Sequence, residues 1–400
     1  MIVVFKKNGG RIILKNTKLR TVKIIILIVI IPVLAAFTLA GCKAAEVAET
    51  TAVETTATEE TSAETVEETT AEQTTEEEII IGEITGNINI LSGLDLSDKV
   101  LNSRPMAVMV ENNTPARPQS GLIYADVVFE VVDEGGITRF VAVYSSYDAN
   151  LIGPVRSARP YYAEIAASFD PVYVFWGTHP TFYKVIENLG LDYLTPLGDD
   201  TGNSSVTSNF VDPWNPGEGV DAIRDGTRQR PHNAYVRIPR MKEIAEKLGY
   251  SLEGGQSSFR FKEDASESER GNITDITINF SDPLFKVAFK YDSKTNTYLR
   301  YCGGQPSNDR ETGKQITVNN VIVLLTDIVK SASAEGHMLV RTTQSGNAYY
   351  FLDGIVIEGT WDRKSALEPF TFRDMDGKTV LFNRGQTWVS MIPGIERLEY

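Results

Sequence analysis

The sequence predicts an α+β protein: an N-terminal mixed α/β part with a layered sheet, then a mainly β C-terminal part. Three observations carry this. Between residues 104 and 252, apolar runs alternate with segments that carry helix start and stop residues at their ends. Two of those runs, VVFEVV and RFVAVY, are nearly continuous, as in strands buried on both faces. After Gly271 the helical punctuation stops, and short β-branched or aromatic runs follow one another between Gly, Asn and Asp turns.

Two segments of other character precede these parts. Residues 1–42 read as a leader. Residues 1–23 hold seven basic side chains and no acid, and Ile24–Ala40 is an apolar run. A basic stretch followed by an apolar one is the pattern of a secretory signal peptide. The run closes on Leu39-Ala40-Gly41-Cys42, which resembles a bacterial lipobox. That resemblance implies cleavage before Cys42 and a diacylglycerol on its sulfur, hence an extracytoplasmic chain anchored by lipid to the bacterial cell membrane. The alternative is an uncleaved transmembrane helix, because Thr21–Ala40 is long enough to span a bilayer. Residues 43–100 form a tether and lead-in. Within it, residues 46–78 hold twelve Glu and eleven Thr, with no Lys, Arg, Gly, Pro or aromatic residue. Such a stretch cannot bury a core and its charges repel, so it is expected to be extended and disordered. As a neutral coil it reaches roughly 30 Å, and further when charged.

The first domain is expected over residues 101–252. RPMAVMVENN (Arg104–Asn113) is an apolar strand ending in a polar turn. Ala125–Ser146 reads as a β-hairpin around Asp133-Glu134-Gly135-Gly136. Arg159 precedes a proline, which excludes it from the helical region. Pro160 suits a first helical position, so a short helix is expected to follow. Val172–Trp176 is a buried strand. Thr178 is placed as the N-cap of a second helix over TFYKVIENLG, stopped by Gly190. Residues 198–220 read as a long loop, and Arg240–Leu248 as a third helix ended by Gly249. The polar stretch 253–272 is read as a linker. Residues 273–400 form a second, β-rich domain, with strands in NNVIVLL, AYYFLDGIVIEGTW and QTWVSMIP.

The chain carries a net charge of −14, of which −10 falls on residues 79–400. An acidic ectodomain excludes sequence-independent nucleic-acid binding, which needs a basic surface. Cys42 and Cys302 are the two cysteines, so there is no disulfide framework and no cysteine metal site. No phosphate-binding loop, nucleophile elbow or H-E-x-x-H motif occurs, so no cofactor is evident and no metal site is expected. His179, His232 and His337 are far apart in sequence.

What remains are charged residues set in apolar strands or at their ends. The candidates for binding an anion are Arg139, Arg156, Arg159, His179, Arg230 and His232. The candidate acidic partners are Asp126, Glu130, Asp133 and Glu134. Asp126 and Glu130, four apart in one strand, point to the same face. Either the arginines pair with these acids as internal struts, or they line a cleft for a phosphate or carboxylate. Arginines buried wholly against the acids would move the binding surface elsewhere.

The blocks ADVVFEVVDEGGITRFVAVY, IGPVRSARPYY, RPHNAYV, NNVIVL, YYFLDG and GQTWVSMIP resemble the YerB-like lipoprotein family of bacterial envelope proteins, over residues 100–395. The resemblance implies a lipoprotein of mixed α/β fold and brings no established activity or catalytic residue. Together with the tether, these features point to a binding lipoprotein that takes an anionic envelope ligand or a protein partner. An envelope enzyme acting on a phosphate-bearing or wall-linked substrate is the alternative.

Overall fold

The computed structural model describes residues 82–400, apart from residues 216, 218 and 333–335 and the side chain of Lys99. The leader, Cys42 and the acidic stretch 46–78 lie outside the described residues.

Ten strands build one sheet. In chain order they are β1 (Met106–Glu111), β2 (Val127–Val132), β3 (Thr138–Tyr144), β4 (Val172–Val174) and β5 (Tyr193–Leu194) from the first half. A second sheet supplies β6 (Asp275–Asn279), β7 (Lys286–Asp292) and β8 (Thr297–Cys302). The large sheet resumes with β9 (Asn320–Leu325). A separate two-stranded arm follows, β10 (Ile328–Lys330) and β11 (Met338–Val340). The large sheet then gains β12 (Gln344–Leu352), β13 (Ile355–Arg363), β14 (Thr371–Asp374) and β15 (Thr387–Ile392). Its order is β14-β13-β12-β9-β15-β2-β3-β1-β4-β5.

The expected hairpin is present as β2 and β3, and every residue of both strands is buried. Burial on both faces follows from the layers around the sheet. One face packs on β6–β8 and on helix α3, through Phe140, Trp388, Ile278, Phe289 and Met241. Here α1 is Pro160–Ala167, α2 is Tyr183–Asn188 and α3 is Ile238–Lys247. The other face packs on α1 and α2, through Phe129, Val141, Tyr162 and Ile186. The arm packs there too, through Ile328, Met338 and Val340.

Three expectations are corrected. His179, not Thr178, caps the second helical segment: its Nδ1 accepts from the Thr181 amide, and a 3-10 turn (Pro180–Phe182) precedes α2. Thr178 instead donates its hydroxyl to the Ala158 carbonyl. The third helix begins at Ile238, two residues early, because Pro239 is accepted in its first turn. The stretch 253–272 is more than a linker. Its strand Arg260–Lys262 pairs in parallel with Leu381–Asn383, and the large sheet crosses the boundary, with β15 lying parallel to β2. Hydrophobic pattern marks strands but says nothing of which strands become neighbours.

A buried ion pair joins the two sheets. Glu130 on β2 has no exposed surface and accepts from Arg300 Nη2 of β8 at 2.8 Å. Trp388 Nε1 donates to the same oxygen at 3.0 Å, and Thr138 Oγ1 to the other at 2.8 Å. The Arg300 guanidinium lies 4.3 Å from the Trp388 ring centroid. Removing one partner of such a pair strands the other charge in the core. Arg300→Met is therefore expected to cost about 3–5 kcal/mol in urea unfolding, while Arg300→Met with Glu130→Leu costs less than the sum of the single changes.

Candidate functional site

The turn after β2 gathers four of the ten candidate residues: Asp133, Glu134, Arg139 and Arg159. Gly135 and Gly136 both take positive φ, +70° and +76°, which lets the chain reverse directly after Asp133 and Glu134. Arg139 comes two residues into β3, and its Nη2 lies 2.6 Å from Asp133 Oδ2. Its Nη1 donates to the Ser157 carbonyl at 2.8 Å. Arg159 is extended, as its place before Pro160 requires, so its side chain projects back over the turn. There it grips Glu134 with both prongs, Nε to Oε1 at 2.7 Å and Nη2 to Oε2 at 2.9 Å. Tyr161, one residue beyond Pro160, donates its hydroxyl to Asp133 Oδ1 at 2.8 Å.

His337 joins the cluster from the far half of the chain. Its Nδ1 is 2.8 Å from Glu134 Oε1, and its buried Nε2 has no hydrogen-bond partner among the described residues. Its ring stands 5.0 Å from that of His179 and 4.8 Å from that of Phe182. Burial acts to raise the Glu134 carboxyl, but the hydrogen bonds from Arg159, Asp133 and His337 outweigh it and hold the group far below the usual carboxylate range.

The other candidates disperse. Arg156 and His232 meet at a different acid, Glu111, with His232 Nδ1 at 2.9 Å and Arg156 Nε at 3.3 Å from Glu111 Oε1. Glu130 faces the opposite side of the sheet and pairs with Arg300, so it is no partner of Arg139, Arg156 or Arg159. Asp126 accepts from the Ser145 and Ser146 amides, at 2.6 and 2.9 Å. Arg230 stands apart, stacked on Trp214 and bonded to its carbonyl. Sequence reasoning missed Glu111 and His337 as members of these sites. Glu111 is an acid in a buried apolar strand, a signal it did carry. His337 has none, being 203 residues from Glu134.

Beside the cluster is a cavity of about 580 Å³. Tyr161 and Glu164 of α1, His179 and Phe182 of the 3-10 turn, and β11 of the arm line it. Its walls are mostly apolar, and Val329 and Leu339 are 55% and 56% exposed. Among the described residues no group of three or more His, Cys, Asp or Glu is arranged to hold a metal.

The depressed Glu134 carboxyl makes a pH prediction. A group whose folded value lies below its unfolded one stabilises the fold above the unfolded value, about 4.3, and that contribution fades as pH falls below it. Glu134→Gln is expected to lose about 2 kcal/mol at pH 7. The gap to wild type should narrow steadily from about pH 5 to pH 2 in denaturant titrations. A gap that stays constant would rule out the charge as its source.

Comparison with known proteins assigns the family. The model described as "Protein of unknown function (DUF3048) N-terminal domain" matches residues 91–251, and its C-terminal counterpart matches residues 276–389. The protein named "Putative lipoprotein YerB" of Bacillus subtilis (strain 168) is 31% identical over 308 residues, covering 76% of this chain and 86% of that one. The crystal structure of YerB from Bacillus subtilis superposes with a TM-score of 0.67 at 29% identity, covering 78% of this chain and 98% of that one. The two family models divide the chain at the polar stretch around residues 253–272, although strands from both sides share one sheet. The chain belongs to the YerB-like family, with both of its DUF3048 domains present.

Proposed function

We propose that the protein is a lipid-anchored, extracytoplasmic binding module whose ligand site is the cavity between α1, the 3-10 turn and the arm. The observation that carries this reading is the cavity itself: about 580 Å³, largely apolar, and backed by a rigid ionic cluster. Its size is that of small-ligand and side-chain pockets, in which apolar walls and a few placed polar groups are the rule.

The charges favour one of the two ligands expected from sequence. Arg139, Arg156 and Arg159 each have a carboxylate within 2.6–3.3 Å. An external anion would have to displace an internal one, at the cost of a buried, unpaired carboxylate. The cluster therefore serves as a brace for the cavity floor, and the reading favours a protein partner with apolar groups over a free phosphate. Lipid on Cys42 and a charged tether would hold this module near the membrane and raise its effective concentration toward envelope partners.

Two experiments test the reading. Cys42→Ala is expected to release the full chain from the membrane fraction and to abolish labelling by a radioactive fatty acid. Unchanged attachment would overturn the lipid anchor. The second experiment uses residues 75–400, whose described residues belong to one compact unit; the crystallised relative matches this chain over nearly its whole length. This fragment is expected to bind anilinonaphthalene sulfonate at one site. Leu339→Asp, a change at an exposed position, should weaken that binding by about tenfold or more. Equal dye binding by wild type and variant would overturn the cavity as the site.

A further inference from the structure

We propose that the free edge of β11 is a docking strand for an extended segment of a partner protein, which joins the arm as a third strand inside the cavity. This inference rests on the reading that the cavity is the binding site, and it names the ligand class.

The first argument is the hydrogen-bond pattern of the arm. Ser331 N donates to the His337 carbonyl at 2.7 Å, and Arg341 N donates to the Asp327 carbonyl at 2.9 Å. With Val329 opposite Leu339 in the register, the antiparallel alternation turns the amides and carbonyls of Met338 and Val340 away from β10. Among the described residues nothing bonds to those outward groups, and β11 pairs with no strand but β10.

The second argument is where the cavity lies. Met338, Leu339 and Val340 are consecutive, and all three line it. Successive side chains of a strand point to opposite faces. The cavity also meets Val329 of β10, which shares a face with Leu339, so it covers that face of the arm and reaches the edge of β11 at Met338 and Val340. Its far wall is α1 and the 3-10 turn.

The third argument is composition. An exposed edge is ordinarily blunted by being very short, or by charge, proline or a bulge. β11, Met-Leu-Val, is short but carries no charge or proline. The β14 edge of the large sheet is different: it carries Arg373 and Asp374, and Arg373 is bridged to Thr379.

The chemistry of the partner follows. Main-chain hydrogen bonds to Met338 and Val340 would supply affinity, and alternate side chains would supply selectivity. The residue beside Leu339 extends the exposed Val329–Leu339 rung, so an apolar side chain is favoured there. The residues on either side of it share the inner face with Met338 and Val340, toward the apolar core that those two residues join.

The test selects random dodecapeptides on phage against the 75–400 fragment. Selected peptides are expected to carry apolar residues at alternate positions. Bound peptide should slow amide exchange at Met338 and Val340 by about tenfold or more. N-methylation along the peptide should weaken binding at every second residue by about fivefold or more, and little in between. The Leu339→Asp fragment should not bind the selected peptides. Peptides that bind without protecting those amides, or that show no two-residue period, overturn the proposal. Protection of the same amides on concentrating the fragment alone would assign the edge to a second copy and overturn it too. If no peptide is enriched while the dye still binds in a Leu339-dependent way, the peptide class falls and the cavity reading stands. If the dye also fails, both fall.

Discussion

The Glu130–Arg300 pair is the interaction on which the architecture turns. It crosses the interface between the ten-stranded sheet and the smaller one, at the centre of the core. A charge buried there is tolerable only when every strong partner is in place. Trp388 from β15, Thr138 from β3 and Arg300 from β8 meet that demand together. A one-residue slip of β2 would turn Glu130 to the other face, among Val141, Val143 and the tyrosines of α1, and would send Phe129 and Val131 to the side of Arg300. The pair thus ties strand register, sheet packing and the joining of the two halves to one constraint.

That register also places the second cluster. Three residues beyond Glu130, β2 ends and the glycine turn presents Asp133 and Glu134. Four side chains from three elements converge on these two acids: Arg139 from β3, Arg159 and Tyr161 from the start of α1, and His337 from the approach to β11. Each contact alone is modest. Together they hold the N-terminus of α1 and the arm at a set separation, which leaves the space between them open. Tyr161 and His337 belong both to this cluster and to the lining of the cavity.

Much of this was legible in the sequence. The hairpin, the helix at Pro160 and the extended Arg159 all follow from local rules about glycine, proline and alternation. The partner of Glu130 was not legible, because Arg300 lies 170 residues away. Nor were the roles of His337 and Glu111, whose partners come from other strands and loops.

By itself, the amino-acid sequence determined the secondary elements, the division into an acidic lead-in and a folded part, and the set of charges that had to find partners. These are local properties, set by side-chain sterics, periodicity and the cost of burying charge. Only the tertiary structure decided which charges meet, that strands from both halves share one sheet, and that an unpaired strand edge borders a cavity. Those outcomes depend on strand order and on contacts between residues more than a hundred positions apart, which no local pattern encodes.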